Sequence, residues 1–206
     1  MHTALRSTTD TLAELLKSCL SADLELGAFF NAGAGGTMLV LPNTPDEMYT
    51  NGTQGLSLWL YQLIRDDQTL NQPRRRTTVD QLEYHRLPLR LHYLATPIVE
   101  SHGDGSAPRL EQTILGKVMQ CFHDTPLVSG ALLKDDFAGS DTRIAVRMEP
   151  LGLEEITRVW DALDRSYQLC VSYEVSVVTV QSQRQHEDLS PVDVVQPEFG
   201  VVGGSA

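Results

Sequence analysis

The chain has 206 residues, 41% of them hydrophobic and 21% charged, which suits one domain with its own core and argues against both wholesale disorder and a membrane-embedded protein. Its net charge of -11 opposes general attraction to nucleic acid or to an anionic membrane, so neither is predicted as a partner. No apolar run approaches the roughly 20 residues that cross a bilayer, and the opening MHTALRSTTD lacks the apolar core of a secretory signal, which predicts a protein made and kept in the cytosol.

Taken in order, Thr11 and Glu14 form a Thr-x-x-Glu capping signature ahead of Leu12, Leu15, Leu16 and Cys19, which predicts an amphipathic helix over residues 11–20. Residues 24–30 (LELGAFF) and 37–41 (TMLVL) read as short strands around a glycine-rich turn, and residues 42–52 as a polar surface loop. Residues 55–65 (GLSLWLYQLIR) place apolar side chains on both faces, the mark of a strand near the sheet centre. Residues 66–83 turn polar and contain Pro73 and the run Arg74, Arg75, Arg76, a long excursion whose arginines are the candidate contact residues for an acidic protein surface. A strand follows over residues 87–96, ended by Pro97.

Leu110, Ile114, Val118, Cys121 and Phe122, widened by Leu115 and Met119, make the clearest helical stripe, and residues 127–133 are apolar without a decisive period. Residues 143–149 alternate as a strand. The segment over residues 151–181 then reads as a short helix with Leu153, Ile156, Trp160 and Leu163 on one face, a tight turn and a long strand in which Leu169, Val171, Tyr173, Val175, Val177 and Thr179 share a face. Beyond Gln181 the composition shifts to polar residues with Pro and Gly, so a domain over residues 1–181 and a flexible tail over 182–206 are expected. The fold class is α+β: a mixed, mainly antiparallel sheet of five or six strands with two or three helices packed on one face.

Chemistry is sparse. Cys121, His123 and Asp124 at a helix end, and His85 with His92, are too few and poorly spaced for a metal centre, and no metal or other cofactor is predicted. His92 reads as hydrogen-bonded structure on a sheet face. The glycine-rich stretch over residues 31–37 lacks the lysine and the following helix of a phosphate loop. No Gly-x-Ser-x-Gly elbow is present, and no catalytic residue is assigned. Cys19, Cys121 and Cys170 are odd in number and far apart, a pattern read as reduced thiols packed in a core.

The strings GLSLWLY, LPLRLHYLATP, ILGKVMQCFHDTPLV, MEPLGLEEITRVW and YQLCVSYEV, in this order and spacing, resemble the tail-terminator, or cap, proteins of extracellular contractile injection systems of the antifeeding-prophage type. Ser57, Leu87, Gln168 and Cys170 stand where that pattern has other residues, and Leu70-Asn71 lacks its intervening arginine. The resemblance implies a non-enzymatic structural protein, a ring of six copies seated on the end of the inner tube and touching the last sheath layer, assembled in the cytoplasm and carried out with a released particle. It implies inner tube protein, sheath protein and further copies of the chain as partners. The rival reading from the residues is a stand-alone ligand-binding or hydrolytic α/β domain.

Overall fold

The computed structural model of the chain describes residues 2–69, 76–78, 81–83, 86–101, 103–180 and 186–188. Helix α1 (Ala4–Ser21) begins well before the predicted capping signature. Thr11 lies in its buried middle, where Oγ1 donates to the Ser7 carbonyl at 2.6 Å and accepts from the Lys134 N–H at 3.1 Å. Both bonds of the hydroxyl are satisfied inside the protein, so Thr11 joins the core and caps nothing.

A Thr-x-x-Glu capping box does operate at Thr44, in the stretch expected to be loop. The Thr44 hydroxyl accepts from the Glu47 N–H and the Glu47 carboxylate accepts from the Thr44 N–H, each at 3.1 Å, with Pro45 in the first turn of helix α3, whose range is Pro45–Thr50. Residues 24–30 also depart from expectation. The Asp23 carboxylate accepts from the N–H groups of Glu25 and Leu26, and the chain then makes the single helical turn α2 (Gly27–Phe30). Leu26 and Phe30, four apart, are both buried, the helical spacing winning over alternation.

The remaining helices are α4 (Ser106–Asp124) and α5 (Leu153–Ala162), and the strands are β1 (Leu39–Leu41), β2 (Gly55–Arg65), β3 (Arg76–Thr78), β4 (Gln81–Glu83), β5 (Leu87–Ile98), β6 (Leu127–Ser129), β7 (Arg143–Glu149), β8 (Val171–Val180) and β9 (His186–Asp188). Six of them form one sheet in the order β1-β2-β5-β8-β7-β6, antiparallel except for the β1–β2 pair. This is the α+β, mainly antiparallel architecture read from the sequence. The strand predicted near the centre, β2, is second from the edge, and β5 and β8 are central. Pro97 does not end β5; it pairs with Leu56 and the ladder runs on to Ile98. At the start of β2, Gly55 has φ +137° and a Cβ there would lie 2.0 Å from the Leu39 carbonyl oxygen, so β1 reaches β2 only against a glycine.

Two β-bulges decide which side chains are buried. The register slips between Leu60 and Gln62 of β2, which brings Leu63 opposite Leu91, and between Leu89 and Leu91 of β5, which brings Val178 opposite Leu89. Val178 therefore enters the core on β8 where strict alternation assigned Val177 and Thr179.

Helices α1, α2 and α4 cover one sheet face. Leu12, Leu16, Leu20, Ile114 and Val118 close on Leu56, Leu58, Leu91, Tyr93 and Val175 in the main core. Tyr93 is buried, and its hydroxyl pairs with Thr9 Oγ1 at 2.8 Å. Cys19 and Cys121, read from the sequence as reduced thiols, are joined in a disulfide with Cα atoms 6.4 Å apart. They stand 102 residues apart, and only the packing of α1 against α4 brings them together. Cys170 is a free, buried thiol.

Helix α5 builds a smaller core on the opposite face, with Trp160 on Leu94 and Cys170 and with Trp59, Tyr61, Ile156, Val159 and Leu163 around them. A separate three-stranded sheet in the order β3-β4-β9 lies in the long excursion and in the span read as a tail: β4 pairs with β9 through Gln81 opposite Asp188 and Glu83 opposite His186.

Candidate functional site

Of the candidate contact residues, Arg74 and Arg75 lie outside the described residues, and Arg76 is described only as the first residue of β3, paired in register with Leu82. His85 also lies outside them.

The densest polar cluster among the described residues sits on the sheet face that α5 only half covers. Glu149 ends β7, and its Oε2 is shared by His92 Nδ1 at 3.0 Å, by the donating Ser172 hydroxyl at 2.9 Å and by the Tyr61 hydroxyl at 3.4 Å. Tyr61 and Ser172 hydroxyls lie 3.1 Å apart. Period-2 geometry explains the meeting, because His92 pairs with Glu174, Ser172 with Glu149, and all three strands turn these positions to one face. Burial pushes the Tyr61 phenol up, opposed by the Ser172 hydrogen bond.

The arrangement has a serine, a histidine and a carboxylate but not the chemistry of a hydrolase. A nucleophile must hand its proton to the base, whereas the Ser172 hydroxyl donates to Glu149 and not to His92, which itself bonds the same carboxylate oxygen. His92 is buried, and its Nε2 has no hydrogen-bond partner among the described residues. The cluster locks β2, β5, β7 and β8 to one another. Next to it Arg90 donates to the buried Asp66 at 2.7 Å and pairs with Glu174 at 3.5 Å, and this holds the guanidinium above its ordinary range.

Glu111, whose carboxyl is pushed up by burial, lines an open groove of about 500 Å³ with Glu100, Tyr49 and Ile98. No side chain among the described residues hydrogen-bonds Glu111. Among the described residues no three His, Cys, Asp or Glu side chains stand together as a metal set, and no helix among them is long and apolar enough to cross a membrane. Cys121 faces α1, not His123, which is exposed in the last turn of α4.

Of the positions that depart from the cap-protein pattern, Leu87 is exposed, residues 70 and 71 lie outside the described residues, and the other three are bonded within the chain. Ser57 Oγ donates to the Asn43 carbonyl at 2.6 Å, Gln168 accepts from the Tyr49 hydroxyl at 2.9 Å, and the Cys170 sulfur accepts from Trp160 Nε1 at 3.5 Å. Burial pushes the Cys170 thiol up, with the Trp160 hydrogen bond acting the other way.

What the molecule does offer is edges. The six-stranded sheet stays open and ends in the three-residue strands β1 and β6, with Leu39 and Leu127 each about half exposed. Short edge strands limit unwanted pairing yet leave backbone donors and acceptors for a chosen neighbour. Beside β7, Met119, Phe122, Val146, Met148 and Tyr173 line an open groove of about 690 Å³. The sequence offers no sign of it, because Met119 reads as part of the apolar stripe of its helix, yet Met119 and Met148 are both exposed.

The described residues thus form an open-edged α+β scaffold in which a polar network joins four strands. The chain belongs to the Pvc16 N-terminal domain family, whose model matches residues 7–193. Two solved structures share the fold. The sheath/tube terminator of PVC, an extracellular contractile injection system, in its extended state matches with TM-score 0.62 and 17% identity over 97% of this chain. The tube-terminating cap of the anti-feeding prophage matches with TM-score 0.56 and 17% identity over 90% of this chain. This chain spans 64% of the first of those chains and 59% of the second. No curated protein matches it.

Proposed function

We propose that the chain is a non-enzymatic tail terminator of a contractile injection system: it seats on the end of the inner tube, stops its polymerisation and joins it to the last sheath layer. The observation that carries this reading is the fold shared with both a sheath/tube terminator and a tube cap over nine-tenths or more of the chain, within a family whose model spans residues 7–193. With that role we infer a ring of six copies, assembled in the cytoplasm and released with the particle. The open sheet edges support it, since a joint between several proteins needs unfilled strand positions. Arg74, Arg75 and Arg76 are read as contacts to an acidic surface of tube or sheath.

The reading of a hydrolytic domain is weakened by the Ser172 hydroxyl, which is spent on Glu149. Deleting the gene from a producing strain tests the proposal. Tubes and sheaths of irregular length, or sheaths that slip from their tubes, are the expected result; particles of uniform length with a stable sheath would overturn it.

A further inference from the structure

We propose that copies of this chain join head to tail, the Leu24 side chain of one copy seating in the groove between α4 and β7 of the next, with Glu25 meeting Arg147. The contact rests on the ring proposed above and names the surfaces that would form it.

Leu24 is wholly exposed. It is also held in place. The Asp23 carboxylate accepts from the N–H groups of Glu25 at 3.0 Å and Leu26 at 3.1 Å, its other oxygen pairs with Lys117 at 3.1 Å, and Leu26 next to it is fully buried. A leucine in solvent on a pinned turn is a preorganised anchor, because little freedom remains to be lost on docking. The groove has the complementary character: Met119 and Met148 are exposed, Phe122 forms its floor against the Tyr173 ring at a centroid distance of 4.7 Å, and the buried Tyr173 hydroxyl has no hydrogen-bond partner among the described residues. Methionine surfaces adapt readily to an inserted aliphatic side chain.

Charge agrees with shape. Arg147 stands exposed on the rim and forms no ion pair among the described residues, while the exposed Glu25 carboxylate, next to the knob, is likewise unpaired among them. Opposite charges of this kind set register and suppress wrong partners.

Knob and groove are different surfaces. Lys117 holds the Leu24 turn against one side of α4, and Met119, two positions on, projects from nearly the opposite side of that helix. The contact is therefore heterologous, and repetition closes a ring or extends a filament.

Disulfide trapping with the full chain tests the contact. Leu24→Cys and Met148→Cys variants are oxidised with copper–phenanthroline, separately and mixed, and run without reductant. A cross-linked dimer in the mixture alone, and a ladder of higher species from the chain carrying both changes, is the expected result. Glu25→Arg or Arg147→Glu, added singly, lowers the yield about fivefold, and together they restore it. No dimer in the mixture, or an equal dimer from Leu24→Cys by itself, overturns the contact. Circular dichroism of each exposed-site variant reads its folding, and tube pelleting reads the cap role separately, so loss of the cross-link with tube binding intact removes this contact and leaves the terminator reading standing.

Discussion

On one face of the six-stranded sheet, α1, α2 and α4 bury a continuous apolar layer around Leu16, Leu91 and Val175, with a disulfide between α1 and α4. On the other, α5 covers Leu94 and Cys170 with Trp160, and beyond it the face carries Glu149, His92, Ser172, Arg90 and Glu174. The first face supplies most of the stability through area removed from water; the second fixes strand registry by hydrogen bonds and leaves a rim of charge for other molecules.

Disturbing the apolar face should cost most. Replacing Cys19 and Cys121 by Ser opens a link closing 102 residues of chain, and about 4 kcal/mol of unfolding free energy should be lost in urea without reductant. Added dithiothreitol should destabilise the parent and leave that variant unchanged. Leu91→Ala, at a fully buried position of the central strand β5, should cost about 3 kcal/mol by the same titration.

The polar face should yield smaller losses. Glu149→Ala removes the acceptor shared by His92, Ser172 and Tyr61 and should cost about 2 kcal/mol, whereas Arg147→Ala on the same strand should stay within about 0.5 kcal/mol. Equal losses at the two positions would erase the distinction between network and rim.

The smallest effect belongs to the Leu24 turn. The Leu26 N–H, foremost, and Lys117 hold the Asp23 carboxyl below its ordinary value of 3.8. A group whose folded value is lowered adds stability above its unfolded value and loses it as pH falls through the folded one. Asp23→Asn should therefore cost about 0.5 kcal/mol at pH 7, with the difference from the parent fading below about pH 3.8, as denaturation curves at several pH values would report.

Strand alternation made β2, β5, β7 and β8 legible in the sequence, and the apolar stripes of α4 and α5 located those helices, because both periods survive wherever one face is buried. The bulges leave no mark in the sequence, since the one extra residue in β2 or β8 shows only in the pairing, and strict alternation therefore puts Val178 on the wrong face. Helix α3 falls in a stretch whose polar, turn-rich composition reads as loop although its Thr-Pro-Asp-Glu start carries a full capping signal, while the match at Thr11 belongs to a buried hydroxyl ladder inside α1. The disulfide, the Glu149 cluster and the groove each join residues distant along the chain, and no local pattern announces them. Leu24 lay in view as one apolar residue in a stretch read as strand; its full exposure depends on the Asp23 turn.

Electron microscopy of preformed inner tubes mixed with the gold-tagged full chain tests the terminator role most directly. The account predicts label at one end of each tube, as a ring, and no further growth from that end when tube subunits are added. Label scattered along the tube walls, or labelled ends that keep growing, would contradict it.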